Sequence, residues 1–444
     1  MLTDKIQEKL KELSTLPGVT AVGLGKKIIG GTQTDTIGIT FGVKVKETNP
    51  ENMLPTSVDI DGITYVTDVI EIGEIAFASC PANQPGYAPT SYIVSGIAIA
   101  EGHVDPSLGY IVLTGGTLGI IAMHTETNAL VGVTAAHILA DASRSDTVDR
   151  QALINAYRRD DNGGNGFIQF NYPFRYSIQF YTYATSGQAN FIGTSFYYKP
   201  LKVKPVIDPD RFNQIDACLI NFFTSLSPDL ISVIPNTAGT SLEIITGFDP
   251  SWKSYLVKDI PEITDAMPFA TTAELNALIT SPPSFVSSTG AGSGAKNGPV
   301  CGLKIDGIGV TTSFTYSSIP GTVYFEDLIS FSRITPGLST VFGFDSGASL
   351  VAKIGGVWKI IGLVIGGNET VGYACRIDHI ASELGIQAWD GSVKPFQNIY
   401  SSNVMSNTSY VTGTGINDAD KIIIDNMTYY QAGNLTTPPM GYYE

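Results

Sequence analysis

Charge is scarce in this 444-residue sequence: Asp, Glu, Lys and Arg make up 15% of it, against about 25% in ordinary soluble domains. Positive charge is the scarcer sign, with 26 Lys and Arg against 41 Asp and Glu, a formal net charge of −15. That excludes a nucleic-acid partner, which needs a basic footprint. Low charge does not mean disorder here, because 43% of residues are hydrophobic and can build a core. Cysteine is also scarce. Cys80, Cys218, Cys301 and Cys375 are the four, they are far apart, and none forms a CxxC pair. A zinc module and a dense disulfide framework are both excluded, and buried free thiols are expected. His103, His124, His137 and His379 are the four histidines. None has metal-ligand spacing with a cysteine, so no metal and no cofactor are expected. Long apolar runs are missing too. Tyr110 to Met123 covers half to two-thirds of a bilayer span and is broken by Gly115-Gly116, so no membrane span is expected. The first residues, Met1-Leu2-Thr3-Asp4-Lys5, lead into a charged segment without the apolar centre of a secretory leader. A cytoplasmic protein or a component of an assembled particle is expected.

What is abundant is glycine (47), tyrosine (21) and phenylalanine (20), a composition that suits β-structure with many turns. Residues 3–14 are expected to form a helix, with Ile6, Leu10 and Leu13 on one face and Asp4 and Gln7 as a capping box. Pro17-Gly18 ends it. Strand-like runs follow at Val19–Ile29, Thr36–Val45 and Ile63–Ile72; the second could serve as an edge strand, a common feature to which no function is attached. Residues 1–78 are therefore read as a small α+β domain, followed by a linker-like stretch from Cys80 to Ser91. Residues 92–388 hold many short β-runs separated by turn residues, the pattern of a barrel or sandwich. Two polar insertions are read within them, at 141–165 and 250–295. The second carries a capping box at Thr271–Glu274 and a flexible run from Ser287 to Gly294. A helix with Ile377, Ile380 and Leu384 inward and Gly385 as its cap closes this region. Asp378-His379 is expected on its solvated side. Residues 390–444 form a charge-poor C-terminal extension rich in Asn, Ser, Thr and Tyr. Gly23-Leu24-Gly25 lacks a third glycine in register and is not a dinucleotide loop.

Three strings carry candidate chemistry. Thr134-Ala135-Ala136-His137 ends an apolar strand, Asp216-Ala217-Cys218-Leu219-Ile220 opens another, and Phe344-Asp345-Ser346-Gly347 is a glycine-bounded turn before a third. A serine hydroxyl becomes a nucleophile when an imidazole takes its proton and a carboxylate fixes the imidazole tautomer. His137, Asp216 and Ser346 supply these three groups in that order. Gly347 gives the turn its freedom, and the N–H groups of Phe344 and Ser346 are candidate donors to an oxyanion.

From about residue 17 to 388 the chain resembles the trypsin-like (chymotrypsin-fold) serine proteases, in the bacterial and plant branch with a small N-terminal domain. The resemblance rests on Pro17 to Gly25, Thr67 to Gly73, Gly115-Gly116-Thr117-Leu118-Gly119, the three strings above, Gly362-Leu363-Val364-Ile365-Gly366-Gly367 and the closing helix. It implies a mainly β fold: two six-stranded antiparallel barrels with the site between them. It implies His137 as general base, Asp216 as orienting acid and Ser346 as nucleophile. Thr340, Ile365, Gly366 and Gly367 would line the substrate pocket, with a protein or peptide as substrate, or the chain itself. The chain departs from the family at Phe344, where glycine is usual, and Thr340 signals neither an acidic nor a basic substrate side chain. Asp345 occupies the position that, in secreted relatives of the wider fold, pairs with a new N-terminus. No cleavage-activation site is evident before the barrel. A second reading follows from Phe344 and from the extension: a catalytically weak or inactive protease-fold subunit that assembles into homo-oligomers through residues 390–444.

Overall fold

The computed structural model describes residues 3–29, 32–46, 53–73, 75–77, 80–81, 95–105, 109–138, 168–169, 181–183, 189–191, 193–199, 201–222, 243–244, 265–293, 300–316, 319–335, 339–391, 421–424, 427–430 and 442–443. The polar stretch 141–165 lies outside these residues, as does most of 390–444, including any oligomer contact expected there. Among the described residues no helix is long and apolar enough to cross a membrane.

The first helix forms because its apolar residues recur every three to four positions. Ile6, Leu10 and Leu13 are all buried in Asp4–Leu13. Its cap is Thr3 rather than the expected Asp4: the Thr3 hydroxyl accepts the Ile6 N–H at 3.3 Å. The charged face is tied down as well, Lys11 pairing with Glu326.

The chain is mainly β. Six strands close on one another, each pair antiparallel: Ile319–Arg333, Gly372–Arg376, Val357–Gly367, Ser349–Ile354, Val286–Thr289 and Val300–Tyr316, which pairs back onto the first. Closure removes the exposed edges of a sheet. Phe314, Phe325 and Tyr373 pack edge-to-face among these strands, with centroids 5.6 and 5.8 Å apart. A second β-unit contains a five-stranded sheet, ordered Gly193–Tyr198, Cys218–Phe222, Leu130–Thr134, Ile120–His124, Ile386–Ala388. A three-stranded sheet of Cys80–Pro81, Gly109–Thr117 and Ala98–Asp105 accompanies it.

The N-terminal strands are joined to this body. Val19–Ile29 pairs antiparallel with Val300–Tyr316, so the barrel sheet runs on through Thr32–Val43 and Ile63–Glu71. The Thr32–Val43 strand is therefore flanked on both sides and is not a free edge. Gly23 and Gly25 have a packing reason: a Cβ on Gly23 would lie 2.6 Å from Val310, and one on Gly25 2.7 Å from the Asp306 carbonyl.

Two further expectations change. The run from Ser287 to Gly294 begins within a barrel strand, Val286–Thr289, so it does not behave as a flexible insert. The Thr271 capping box within 250–295 does form. Asp378-His379 is half-buried and held in charged contacts rather than free in solvent. Arg376 is 3% exposed; it donates to both Asp327 oxygens at 3.1 Å and to Asp378 at 2.7 Å. His379 Nε2 lies 2.7 Å from Asp327. These charges clamp the closing helix Ile377–Leu384, whose Ile377, Ile380 and Leu384 are buried and whose Gly385 cap has φ 62°.

Candidate active site

The three sequence strings meet where the second β-unit touches the barrel. Leu130–Thr134 and Cys218–Phe222 are antiparallel neighbours, with Thr134 opposite Cys218. His137 lies just past the end of the first strand and Asp216 just before the second, so the pairing sets them side by side. The His137 backbone N–H donates to Asp216 Oδ1 at 2.9 Å, and the ring Nδ1 bonds Asp216 Oδ2. A carboxylate can only accept, which puts the ring proton on Nδ1 and the lone pair on Nε2. That Nε2 lies 2.7 Å from Ser346 Oγ. His137, Asp216 and Ser346 are all 0% exposed.

The turn bearing Ser346 is held by many bonds. Gly347 has φ 84°, and a Cβ there would lie 2.4 Å from the Thr117 carbonyl. Its N–H donates to the Val364 carbonyl at 2.8 Å. Gly119 is as constrained: its Cβ would fall 1.8 Å from the Gly347 carbonyl. Sequence reasoning missed the part played by Thr117. Its N–H donates to the Ser346 carbonyl at 2.8 Å and its hydroxyl to the Phe344 carbonyl at 2.5 Å. That hydroxyl also accepts the Ala291 N–H at 2.9 Å. Thr117→Val keeps the shape but leaves the Ala291 N–H and the Phe344 carbonyl unpaired in a buried place. The expected loss in a urea melt is about 2–4 kcal/mol; a loss below roughly 1 kcal/mol would show the bonds to be dispensable.

Phe344 takes the conformation that glycine usually supplies. Its φ is 75°, which costs a non-glycine residue about 1–2 kcal/mol. The ring is 3% exposed and sits against Gly115, where a Cβ would be 2.3 Å from it. The small residue at 115 thus leaves room for the large one at 344. Thr340 is also buried, and its hydroxyl has no hydrogen-bond partner among the described residues. Ile365 is buried with its carbonyl 3.3 Å from Ser346 Oγ, and Gly366 and Gly367 follow it on the same strand.

Asp345 is 3% exposed, and its partner is an internal turn. Oδ1 accepts the Ser293 N–H at 2.8 Å and Oδ2 the Phe342 N–H at 2.9 Å. The Gly292 N–H contributes too. The signal for this turn was its run of small residues: a Cβ on Gly290 would lie 2.0 Å from Asp345 Oδ1, and one on Gly292 1.8 Å from the Gly343 carbonyl. Burial pushes the Asp345 carboxyl up to about 6, against the pull of these N–H donors. A carboxyl raised on folding favours the fold while protonated. Its contribution is complete below the ordinary value near 3.8 and is lost as pH rises to about 6. The difference is about 3 kcal/mol. The stability gap between wild type and Asp345→Asn should therefore move by that amount in the variant's favour from pH 3 to pH 7. A gap independent of pH would contradict it.

His124 and His379 bond to groups outside this set. His124 bonds Thr127 at 3.0 Å, and burial lowers its pKa. Among the described residues no three His, Cys, Asp or Glu side chains gather to hold a metal ion. A cavity of about 210 Å³ opens between the N-terminal strands and the barrel, lined by Leu24, Ile70, Val310 and Tyr373. No member of the His137–Asp216–Ser346 set lines it.

No family model and no curated protein sequence matches the chain. Solved structures do. The chain is similar to the Nocardiopsis protease NAPase, at 13% identity and a TM-score of 0.31, over 67% of this chain and 98% of that one. It is similar to Thermobifida fusca protease A, at 14% identity and a TM-score of 0.30, over 67% and 98%. A glutamic acid specific serine protease described as using a histidine triad in substrate binding gives 13% identity and a TM-score of 0.32, over 67% and 100%. At these values the hydrogen-bond geometry, and not the likeness, has to carry any functional reading.

Proposed function

We propose that the protein is a serine endopeptidase, with Ser346 as nucleophile, His137 as general base and acid, and Asp216 as the group that orients His137. The observation that carries this is the continuous relay from Asp216 through His137 Nδ1 and Nε2 to Ser346 Oγ. Ser346 Oγ attacks the carbonyl carbon of a peptide bond while its proton passes to His137 Nε2. The negative charge that develops on the carbonyl oxygen meets the N–H groups of Phe344 and Ser346. One such donor is worth about 3–4 kcal/mol in the transition state. His137 then gives its proton to the leaving amine, and water releases the acyl group by the same steps in reverse.

The test is incubation with an unstructured protein and sequencing of the new termini by mass spectrometry. Wild type should produce new amine and carboxylate ends and Asp216→Asn far fewer. Peptides left whole by a folded wild type that has been shown to be labelled at Ser346 would move the reaction to another acyl class.

A further inference from the structure

We infer that Gly292 is a positioning residue for the oxyanion donor: the gap where its side chain would be holds the Gly343 carbonyl, and so keeps the Phe344 N–H of the same peptide turned out toward substrate. This rests on the endopeptidase reading above.

The backbone just before Ser346 is a tight turn. Asp345 N–H donates to the Phe342 carbonyl at 3.1 Å, and of the two residues between them only Phe344 has a positive φ, 75°. That combination is the type II turn, which ordinarily takes glycine at its third position. An L-residue there favours the type I form, with φ of about −90°. The two forms share their end residues and differ by turning the central peptide over, here Gly343–Phe344. They therefore point the Phe344 N–H in opposite directions.

Both sides of that peptide are anchored. Upstream, Phe342 N–H donates to Asp345 Oδ2 at 2.9 Å. Downstream, the Thr117 hydroxyl donates to the Phe344 carbonyl at 2.5 Å and the Thr117 N–H to the Ser346 carbonyl at 2.8 Å. The Gly343–Phe344 peptide can rotate between these anchors without breaking them. Its own contact is with Gly292: a Cβ there would lie 1.8 Å from the Gly343 carbonyl oxygen and 3.3 Å from Asp345 Oδ1. The carbonyl thus fills a space that any side chain would take. In a planar trans peptide the N–H points opposite to the C=O, so the Phe344 N–H faces away from Gly292. No backbone carbonyl among the described residues accepts it, nor the Ser346 N–H. Two such donors beside a nucleophile are what an anionic oxygen needs.

Phe344 pulls the other way. A positive φ disfavours an L-residue by about five- to thirtyfold, and strained backbone persists only where its surroundings over-determine it. The gap at Gly292 supplies that constraint. Gly292 itself is outside the positive-φ region, so alanine suits its backbone and is opposed by the Gly343 carbonyl and Asp345. Gly292→Ala should relieve both the clash and the Phe344 strain by turning the peptide over. The Gly343 carbonyl then stands where the donor stood, and the fold is kept while one donor is lost.

The experiment is turnover of p-nitrophenyl acetate by the full chain, beside crystal structures of wild type and Gly292→Ala. The proteins are wild type, Gly292→Ala, and Gly292→Ala combined with Phe344→Gly, with Ser346→Ala as the blank. Losing one donor lowers kcat by about 10²–10³-fold. The expected result is that loss in Gly292→Ala, with KM little changed, a melting temperature no lower than wild type's, and the Gly343 carbonyl turned away from residue 292. Adding Phe344→Gly should return about five- to thirtyfold of kcat, since glycine accepts the positive φ without strain. A defect of packing alone would not be rescued by a second change that removes a buried ring. Wild-type kcat in Gly292→Ala, a lowered kcat with the carbonyl still facing residue 292, or a variant that fails to fold would each overturn the inference. A folded wild type that neither turns over the ester nor takes a fluorophosphonate would overturn the endopeptidase reading alone, because the carbonyl directions in the two structures still decide the role of Gly292.

Discussion

Ser346→Ala should lower peptide turnover by about 10⁶-fold while the protein stays folded. The change removes the one oxygen that faces His137 Nε2 at 2.7 Å. The alanine methyl fits the space that the serine already fills, and the remaining bonds of the turn belong to other atoms: Gly347 N–H to Val364, Thr117 N–H to the Ser346 carbonyl. The Nε2 lone pair and the buried Ile365 carbonyl, 3.3 Å from Oγ, lose a partner, a cost of about 1–2 kcal/mol. The loss in rate corresponds to about 8 kcal/mol of barrier. Loss of rate with a melting temperature within a few degrees of wild type separates a chemical role from a structural one. Retained turnover in Ser346→Ala would assign the reaction to another group.

Asp216→Asn should cost about 10⁴-fold in kcat. Asp216 accepts two N–H donors from one residue, the His137 backbone and the His137 ring. Asparagine has one carbonyl oxygen and one NH₂ group. Whichever way the amide turns, an NH₂ faces an N–H at one of the two positions. If the backbone bond is kept, the NH₂ confronts the ring, and the stable tautomer moves its proton to Nε2. That imidazole then cannot accept the Ser346 proton. Near-isosteric replacement leaves the packing intact, so the variant should melt close to wild type and still be silent. A variant with wild-type kcat would show that Asp216 holds only the backbone.

The parts of this site that were legible in the sequence are those set by short strings. His137 ends a strand, Asp216 opens its neighbour and Ser346 stands in a glycine turn; the pairing of Thr134 with Cys218 follows from two apolar runs. The first helix was legible because three apolar residues share a face, and the last because Gly385 takes the left-handed cap. What was not legible depends on distant segments meeting. The partner of Asp345 is a turn 52 residues away, and small residues alone do not distinguish a flexible run from one pressed against a carboxylate. His379 looked solvated because Asp327, its partner, comes from another strand. Phe344 in a glycine conformation makes sense only once Gly115 is seen beneath its ring. Cys80-Pro81 looked like the start of a linker, since the strand it pairs with, Gly109–Thr117, lies on a distant segment.

The central claim is that His137 activates Ser346 beside a usable pair of N–H donors. Fluorophosphonate labelling followed by peptide mapping tests it most directly, because the probe needs both the activated oxygen and a site for the anionic oxygen. It should be run on wild type and Ser346→Ala. The account predicts modification of Ser346 in wild type and none in Ser346→Ala. Folded wild type that takes no label, or that carries the label on another residue, would contradict it.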